Sequence, residues 1–217
     1  MYMSDHDDTR KRLLHSATEV FAEHGYHAAT TREICRRANA NLAAIHYHFG
    51  DKAELYREVF KLPFLEQSAS FGEPAQAGPG LEDSLNLFYR VLLQPVFEDG
   101  ARMRQVMRLH AREELDPSGV LGDAVTQVIR PNFARLLNLL CRELGADEPD
   151  AEIERLAFCL IGMARIFFHG ECVVNAFCPG LLQGEQALVQ MTEKLSKYGM
   201  QLIAAEAALR RAWKNGA

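Results

Sequence analysis

Apolar residues return every three or four positions along nearly all of this 217-residue chain, with no segment of one-by-one alternation. That is the period of helices, not of strands. Thr9 to His24 reads as a first helix, with Leu13, Ala17, Val20 and Phe21 on one face and Gly25 as its stop. Thr30 and Glu33 have the spacing of a capping box and open a second helix, in which Ile34 and Ala38 lie four apart. Asn39-Ala40-Asn41 breaks that pattern. Asparagine tolerates the left-handed backbone of a tight turn, and Asn41 can cap the next helix. This third helix, Leu42 to about His48, is short, with Ile45 as its inward residue. Phe49-Gly50 closes it. Asp51 caps a fourth helix that runs from Lys52 to about Ser70 and holds Pro63, where a kink is expected. Gly72 to Gly80, GEPAQAGPG, reads as a linker.

The remainder is again helical. Leu81–Phe97, Arg102–Glu114, Ser118–Leu144 (bent at Pro131), Asp150–Gly170 and Glu185–Trp213 are the expected elements. Asp150–Gly170 has two apolar faces, so it must be covered on two sides. In the last helix Leu188, Met191, Leu195, Tyr198, Leu202, Ala205, Leu209 and Ala212 keep a heptad spacing over 25 positions, the mark of helices packed at a shallow angle. The expectation is a four-helix bundle shared with a second copy of the chain. Leu156, Leu160 and Met163 of one helix and Leu188, Met191, Leu195, Tyr198 and Leu202 of the other would form its interface. The fold class is all-α: an N-terminal three-helix domain over residues 9–62, followed by a helical domain over 81–213.

The helix-short turn-helix arrangement at Thr30–Lys52 is that of a helix-turn-helix. Small residues at the start of its second helix let the backbone approach base edges. Ala43 and Ala44 can touch a thymine methyl, and Asn41 and His46 can hydrogen-bond to bases. Thr30, Thr31, Tyr47 and Lys52 suit phosphate oxygens, helped by helix N-termini. Arg32, Leu42 and His48 complete the candidate surface. The charge balance is less suggestive. The net charge is −5, yet residues 1–62 hold nine Lys/Arg against nine Asp/Glu and six of the eight histidines. The acidity lies in the rest of the chain, and non-specific attraction to nucleic acid should be modest.

The run NLAAIHYHFGDKAELY, after TTREICRRA and near the amino end, resembles the DNA-binding domain of the TetR family of transcriptional regulators. The NLAA opening is most similar to the branch containing the PsrA and CecR regulators. The resemblance covers about residues 9 to 62. Two positions depart from it: Asn39 stands where the family usually has glycine, and His46 where the branch usually has Asn or Tyr. The resemblance implies a homodimeric repressor on a palindromic double-stranded DNA operator. It also implies a pocket for a small hydrophobic effector in the helical domain, for which it supplies no motif. Phe88, Met103, Met107, His110, Phe133, Phe167, Phe168 and His169 are the candidates there, because methionine and aromatic side chains line irregular apolar pockets well. The same residue types at helical spacing also serve as ordinary core.

Other chemistries are weakly represented. No P-loop, GxGxxG after a strand, HExxH or GxSxG is present, so no enzyme is expected and no cofactor is implied. Five scattered cysteines fit reduced thiols in a cytoplasm, and the most apolar run is too short for a membrane span. His169 and Cys172 are three apart, which leaves a thiol- or metal-responsive regulator as an alternative without a full ligand set. A helical small-molecule-binding protein or an enzyme lacking a recognisable motif is the other alternative.

Overall fold

The computed structural model describes residues 5–70, 80–98 and 100–216. Among these it is all-α, with ten helices and no strand. They are α1 (Asp5–Ala28), α2 (Thr31–Ala38), α3 (Leu42–Phe49), α4 (Lys52–Ser70), α5 (Leu81–Glu98), α6 (Gly100–Leu115), α7 (Asp123–Leu144), α8 (Ala151–His169), α9 (Glu171–Phe177) and α10 (Ala187–Gly216). The linker expected at Gly72–Gly80 lies outside the described residues except for Gly80, as does the side chain of Pro63.

The chain divides into two compact units. The first joins residues 1–66 to residues 99–128. Leu13, Ala17, Val20 and Phe21 of α1 are wholly buried against Ile34, Ile45, Leu55 and Val59 from α2, α3 and α4. Each of these Leu, Val, Ile and Phe side chains stabilises the unit by about 1.5–3 kcal/mol. The Tyr56 ring meets Phe21 edge-on at 4.9 Å. Gly25 breaks α1 with φ 71 and ψ 176, a backbone that L side chains rarely adopt.

The boundary expected at residue 62 does not coincide with this unit, because α6 packs inside it. Leu109 is buried in the same core. His110 stacks on Phe60 with ring centroids 3.9 Å apart. Its Nε2 donates to the Phe60 carbonyl at 3.0 Å. Tyr56 Oη donates to Glu113 at 2.7 Å. The other Glu113 oxygen accepts from both the N–H and the hydroxyl of Ser118, at 3.0 and 2.8 Å. Burial and the Glu113 carboxylate together raise the Tyr56 pKa. Ser118–Gly122, expected as the start of a long helix, is instead a turn. Gly119 and Gly122 there have φ of 74 and 46, and Arg57 Nε donates to the Val120 carbonyl at 3.0 Å.

The second unit holds residues 67–98 and 129–217. Its core takes Leu85, Tyr89 and Leu93 from α5, Leu136 and Leu140 from α7, Ile153, Leu156, Ala157, Leu160 and Ala164 from α8, and Met191, Leu195 and Ile203 from α10. Gly199 lets α10 come close. A Cβ there would meet Leu160 Cδ2 at 3.2 Å and Leu85 Cδ1 at 3.3 Å. Tyr89 Oη donates to the Leu160 carbonyl at 3.2 Å.

The expected interface residues divide accordingly. Leu156, Leu160, Met191 and Leu195 are buried by their own chain, so they have almost no surface left for another. Met163 and Leu188 are half-buried against the same core. Only Tyr198 and Leu202 are exposed. The reason is geometric: a 3.5-residue repeat drifts about 20° per heptad on a straight α-helix, or roughly 70° over this seam. It starts on the inner face of α10 and ends on the outer one. Among the apolar residues left open are Phe158, Gly162 and Ile166 on α8 and Tyr198, Leu202, Leu209 and Trp213 on α10.

Asp150 caps α8 by accepting from the N–H groups of Glu152 and Ile153, and it also accepts from Arg210 Nη2 of α10 at 2.6 Å. The Arg210 hydrogen bond, then the Ile153 N–H, hold its pKa at about 2 against an ordinary 3.8. A depressed folded-state pKa stabilises above the ordinary value, and that stability is lost as pH falls toward about 2. The site is half-exposed, so the amount should be about 0.5–1 kcal/mol. Asp150→Asn keeps a capping oxygen but removes the charge. Urea unfolding from about pH 4 to pH 2 should therefore decline less steeply for this variant than for the parent.

Candidate nucleic-acid interface

The turn between α2 and α3 is built from backbone chemistry that each residue can meet. Thr30 Oγ1 accepts from the Glu33 N–H at 3.2 Å and starts α2. Only this half of the capping box forms, since the Glu33 carboxylate turns to Arg36 and Arg37 instead. Asn39 ends α2 at φ 49 and ψ 50, the sole non-glycine residue with positive φ among those described. Asn41 Oδ1 accepts from the Ala44 N–H at 2.9 Å and starts α3. Asp51 Oδ1 does the same for α4 through the Glu54 N–H at 2.8 Å.

α3 buries Ile45 and Phe49 and turns Leu42, Ala43, His46 and Tyr47 outward, with Tyr47 73% exposed. These positions fall on one helical face. Ala44 is half-buried against the core, so Ala43 is the more open of the two alanines. His48 is half-buried, its ring edge-on to Tyr47 at 4.9 Å. Thr30 and Arg32 are exposed at the start of α2 and Thr31 is half-buried. The structure thus brings the expected residues together, except that Asn41 has committed its carbonyl oxygen to capping and Ala44 turns partly inward.

Cations near this surface are largely engaged. Arg36 and Arg37 both donate to Glu33, and Arg37 also makes a two-pronged pair with Glu23 at 2.9 and 2.8 Å. The Arg36 and then Arg37 hydrogen bonds bring the Glu33 pKa down to about 2. Arg10 pairs with Glu58 at 2.9 Å and lies over the Phe49 ring at 5.2 Å. Lys52 Nζ sits 4.5 Å over the Tyr26 ring and donates to the His27 carbonyl at 3.5 Å, and burial lowers its pKa. Sequence reading missed these positioning roles. The Glu33 pairs with Arg36 and Arg37 have helical i,i+3 and i,i+4 spacing and were there to be read. Glu23 and Glu58 come from other elements and carry no local signal.

Residues 13–59 match the family model for bacterial regulatory proteins of the tetR family. Residues 81–203, more than half of the chain, match the model for the C-terminal domain of the HTH-type transcriptional dual regulator CecR. The chain belongs to the TetR family. It is a DNA-binding transcriptional regulator of that family, and not an enzyme. The HTH-type transcriptional dual regulator CecR of Shigella flexneri is 27% identical over 176 residues, covering 76% of this chain and 78% of the relative. The HTH-type transcriptional activator FasR of Mycolicibacterium smegmatis is 44% identical over 55 residues, 25% of each chain. A transcriptional regulator from Rhodococcus has the same fold, with TM-score 0.62 at 22% identity, covering 88% of this chain and 96% of that one.

The candidate effector residues of this TetR-family chain are distributed over both units. Phe88, Phe133 and Phe167 are half-buried on the second unit's core, and Phe133 packs on Phe158 with centroids 5.2 Å apart. His110 is spent on Phe60 in the first unit, and Met107 is on the same helix as His110. The side chains of Met103, Phe168 and His169 lie outside those described. Cys35 and Cys141 are buried, and Cys159, Cys172 and Cys178 are exposed. Among the described residues no group of three His, Cys, Asp or Glu could hold a metal, and no single helix is long and apolar enough to cross a membrane.

Asn39 gives this turn a direct test. Asn39→Gly relieves a left-handed backbone and should leave stability unchanged or raise it by up to about 1 kcal/mol, whereas Asn39→Ala should lower it by about 1 kcal/mol. Thermal unfolding of the three proteins side by side reads the order.

Proposed function

We propose that this regulator is a repressor that holds a palindromic operator as a homodimer and releases it when a small hydrophobic effector binds its second unit. The observation that supports the DNA half is the outward face of α3, small at Ala43 and polar at His46 and Tyr47. The small Ala43, beside Leu42, lets this part of the helix come close to the floor of the major groove, where its methyl group can meet a thymine methyl. Thr30, Thr31, Arg32, Tyr47 and Lys52 would set the register through phosphate oxygens. With so many arginines engaged internally, few counterions should be released. Affinity should then rest more on base contacts than in a strongly basic reader.

Two half-sites lie about 34 Å apart, so one chain cannot read both. The open apolar stripes, Phe158 and Ile166 on α8 and Tyr198, Leu202, Leu209 and Trp213 on α10, supply a surface for a second copy. Phe88, Phe133 and Phe167 supply an aromatic lining for an apolar effector. Release then follows by linkage: the effector moves the equilibrium only as far as it prefers the conformation that misplaces α3. Repression follows where the operator overlaps a promoter. One relative is named a dual regulator and another an activator, so operator position sets the sign.

Fluorescence anisotropy on the DNA upstream of the regulator's own gene, with random DNA as competitor, tests the reading. Tight binding that the competitor cannot displace is expected, and equal binding to both DNAs would sink it. Ala43→Leu should weaken operator binding at least tenfold while leaving random-DNA binding nearly unchanged, since the added bulk clashes only in a close-fitting groove. Tyr47→Phe should weaken both by similar factors. Phe158→Glu combined with Leu202→Glu should yield monomers in sedimentation velocity, with operator affinity lost and the helical spectrum retained.

A further inference from the structure

His46 is tied to Gly50 in both directions. The Gly50 N–H donates to the His46 carbonyl at 3.1 Å, and the His46 ring nitrogen Nδ1 lies 2.7 Å from the Gly50 carbonyl. A carbonyl oxygen only accepts, so Nδ1 must carry the hydrogen of that bond. Gly50 manages both contacts at φ 84 and ψ −66, a backbone that L side chains rarely adopt. The neutral ring then has a single tautomer, with a bare lone pair on Nε2. His46 is exposed on the same α3 face as Ala43 and Tyr47.

We propose that His46 determines part of the operator sequence, accepting through Nε2 a hydrogen bond from the exocyclic amino group of an adenine or cytosine in the major groove. The inference rests on the operator-binding reading and deepens it. Adenine and cytosine present an amino donor there, at N6 and N4, whereas guanine and thymine present carbonyl oxygens at O6 and O4. A lone pair facing a carbonyl oxygen is repelled, and both groups lose their water without a partner. Asparagine or glutamine could rotate its amide to suit either case. A ring latched to its own helix end cannot. The locked neutral ring also has no outward hydrogen to give a phosphate, which sets this role apart from that of Tyr47. One position in each half-site should therefore prefer amino bases to keto bases on the strand that His46 reads.

Two measurements decide it. Nitrogen-15 NMR of the ring in the full-length free protein should show Nδ1 protonated and Nε2 bare. The opposite tautomer would overturn the proposal without any reference to DNA. Duplexes should also be selected from a randomised palindromic pool by the parent and by His46→Ala, an exposed change that favours helix. The parent should enrich A or C over G or T about tenfold or more at one half-site position. His46→Ala should lose that preference and keep the others. A uniform loss at all sequences would mean a phosphate contact, and an unchanged motif would mean no contact, so either sinks the proposal alone. If the parent enriches no motif, the operator reading falls and takes this one with it.

Discussion

A helix of eight residues is too short to persist alone in water, because its first turn orders several residues for one hydrogen bond. α2 and α3 are both of that length. They exist because Ile34, Cys35, Ala38, Ile45 and Phe49 are buried against α1 and α4. The reading surface is thus the outer side of elements whose inner side is the only reason they are helical. This constraint leaves little freedom. Each inward position must be apolar, each end must be capped by Thr30, Asn41 or Asp51, and the connecting turn must accept a left-handed residue at Asn39.

Charge is used in the same way. Arg10, Arg36 and Arg37 look on paper like a basic patch for DNA, yet each meets a carboxylate of the same unit. Surface pairs of this kind contribute little stability individually, but Arg37 of α2, held by Glu33 of its own helix and by Glu23 of α1, fixes the orientation of α2 relative to α1. The regulator gives up non-specific electrostatic attraction and gains a defined geometry for the helix that precedes α3.

What was legible in the sequence was local. The stop at Gly25, the caps at Thr30, Asn41 and Asp51, and the inward Ile45 follow from chemistry within four residues, and the motif from Asn41 to Lys52 is specific enough to place the family. The rest depends on which partner covers an apolar face, and periodicity does not say. His110 has the look of a pocket residue but stacks on Phe60. The seam of α10 has the look of one interface but is divided by helix geometry between its own core and the outside. Gly119 and Gly122, both at positive φ, mark Ser118–Gly122 as a turn where the apolar spacing alone predicts a helix from Ser118. Glu113 accepts from Ser118 five residues on, and it is held in place by Tyr56, which comes from a distant part of the chain.

The first unit is discontinuous: its core closes only when α6 and Leu121 join α1 to α4. A chain leaves the ribosome in order. α3 therefore emerges long before Leu109, Glu113 and Leu121, with residues 67–98 of the other unit coming between. Until then Tyr56 and Phe60 lack their partners from α6. A nascent fragment ending near residue 62 would expose apolar surface that the finished chain hides, so the DNA reader is not a cassette to be cut out and transplanted at that point. Its completion waits for a segment that the sequence assigns to the effector domain, and this binds the history of one unit's folding to the synthesis of the other.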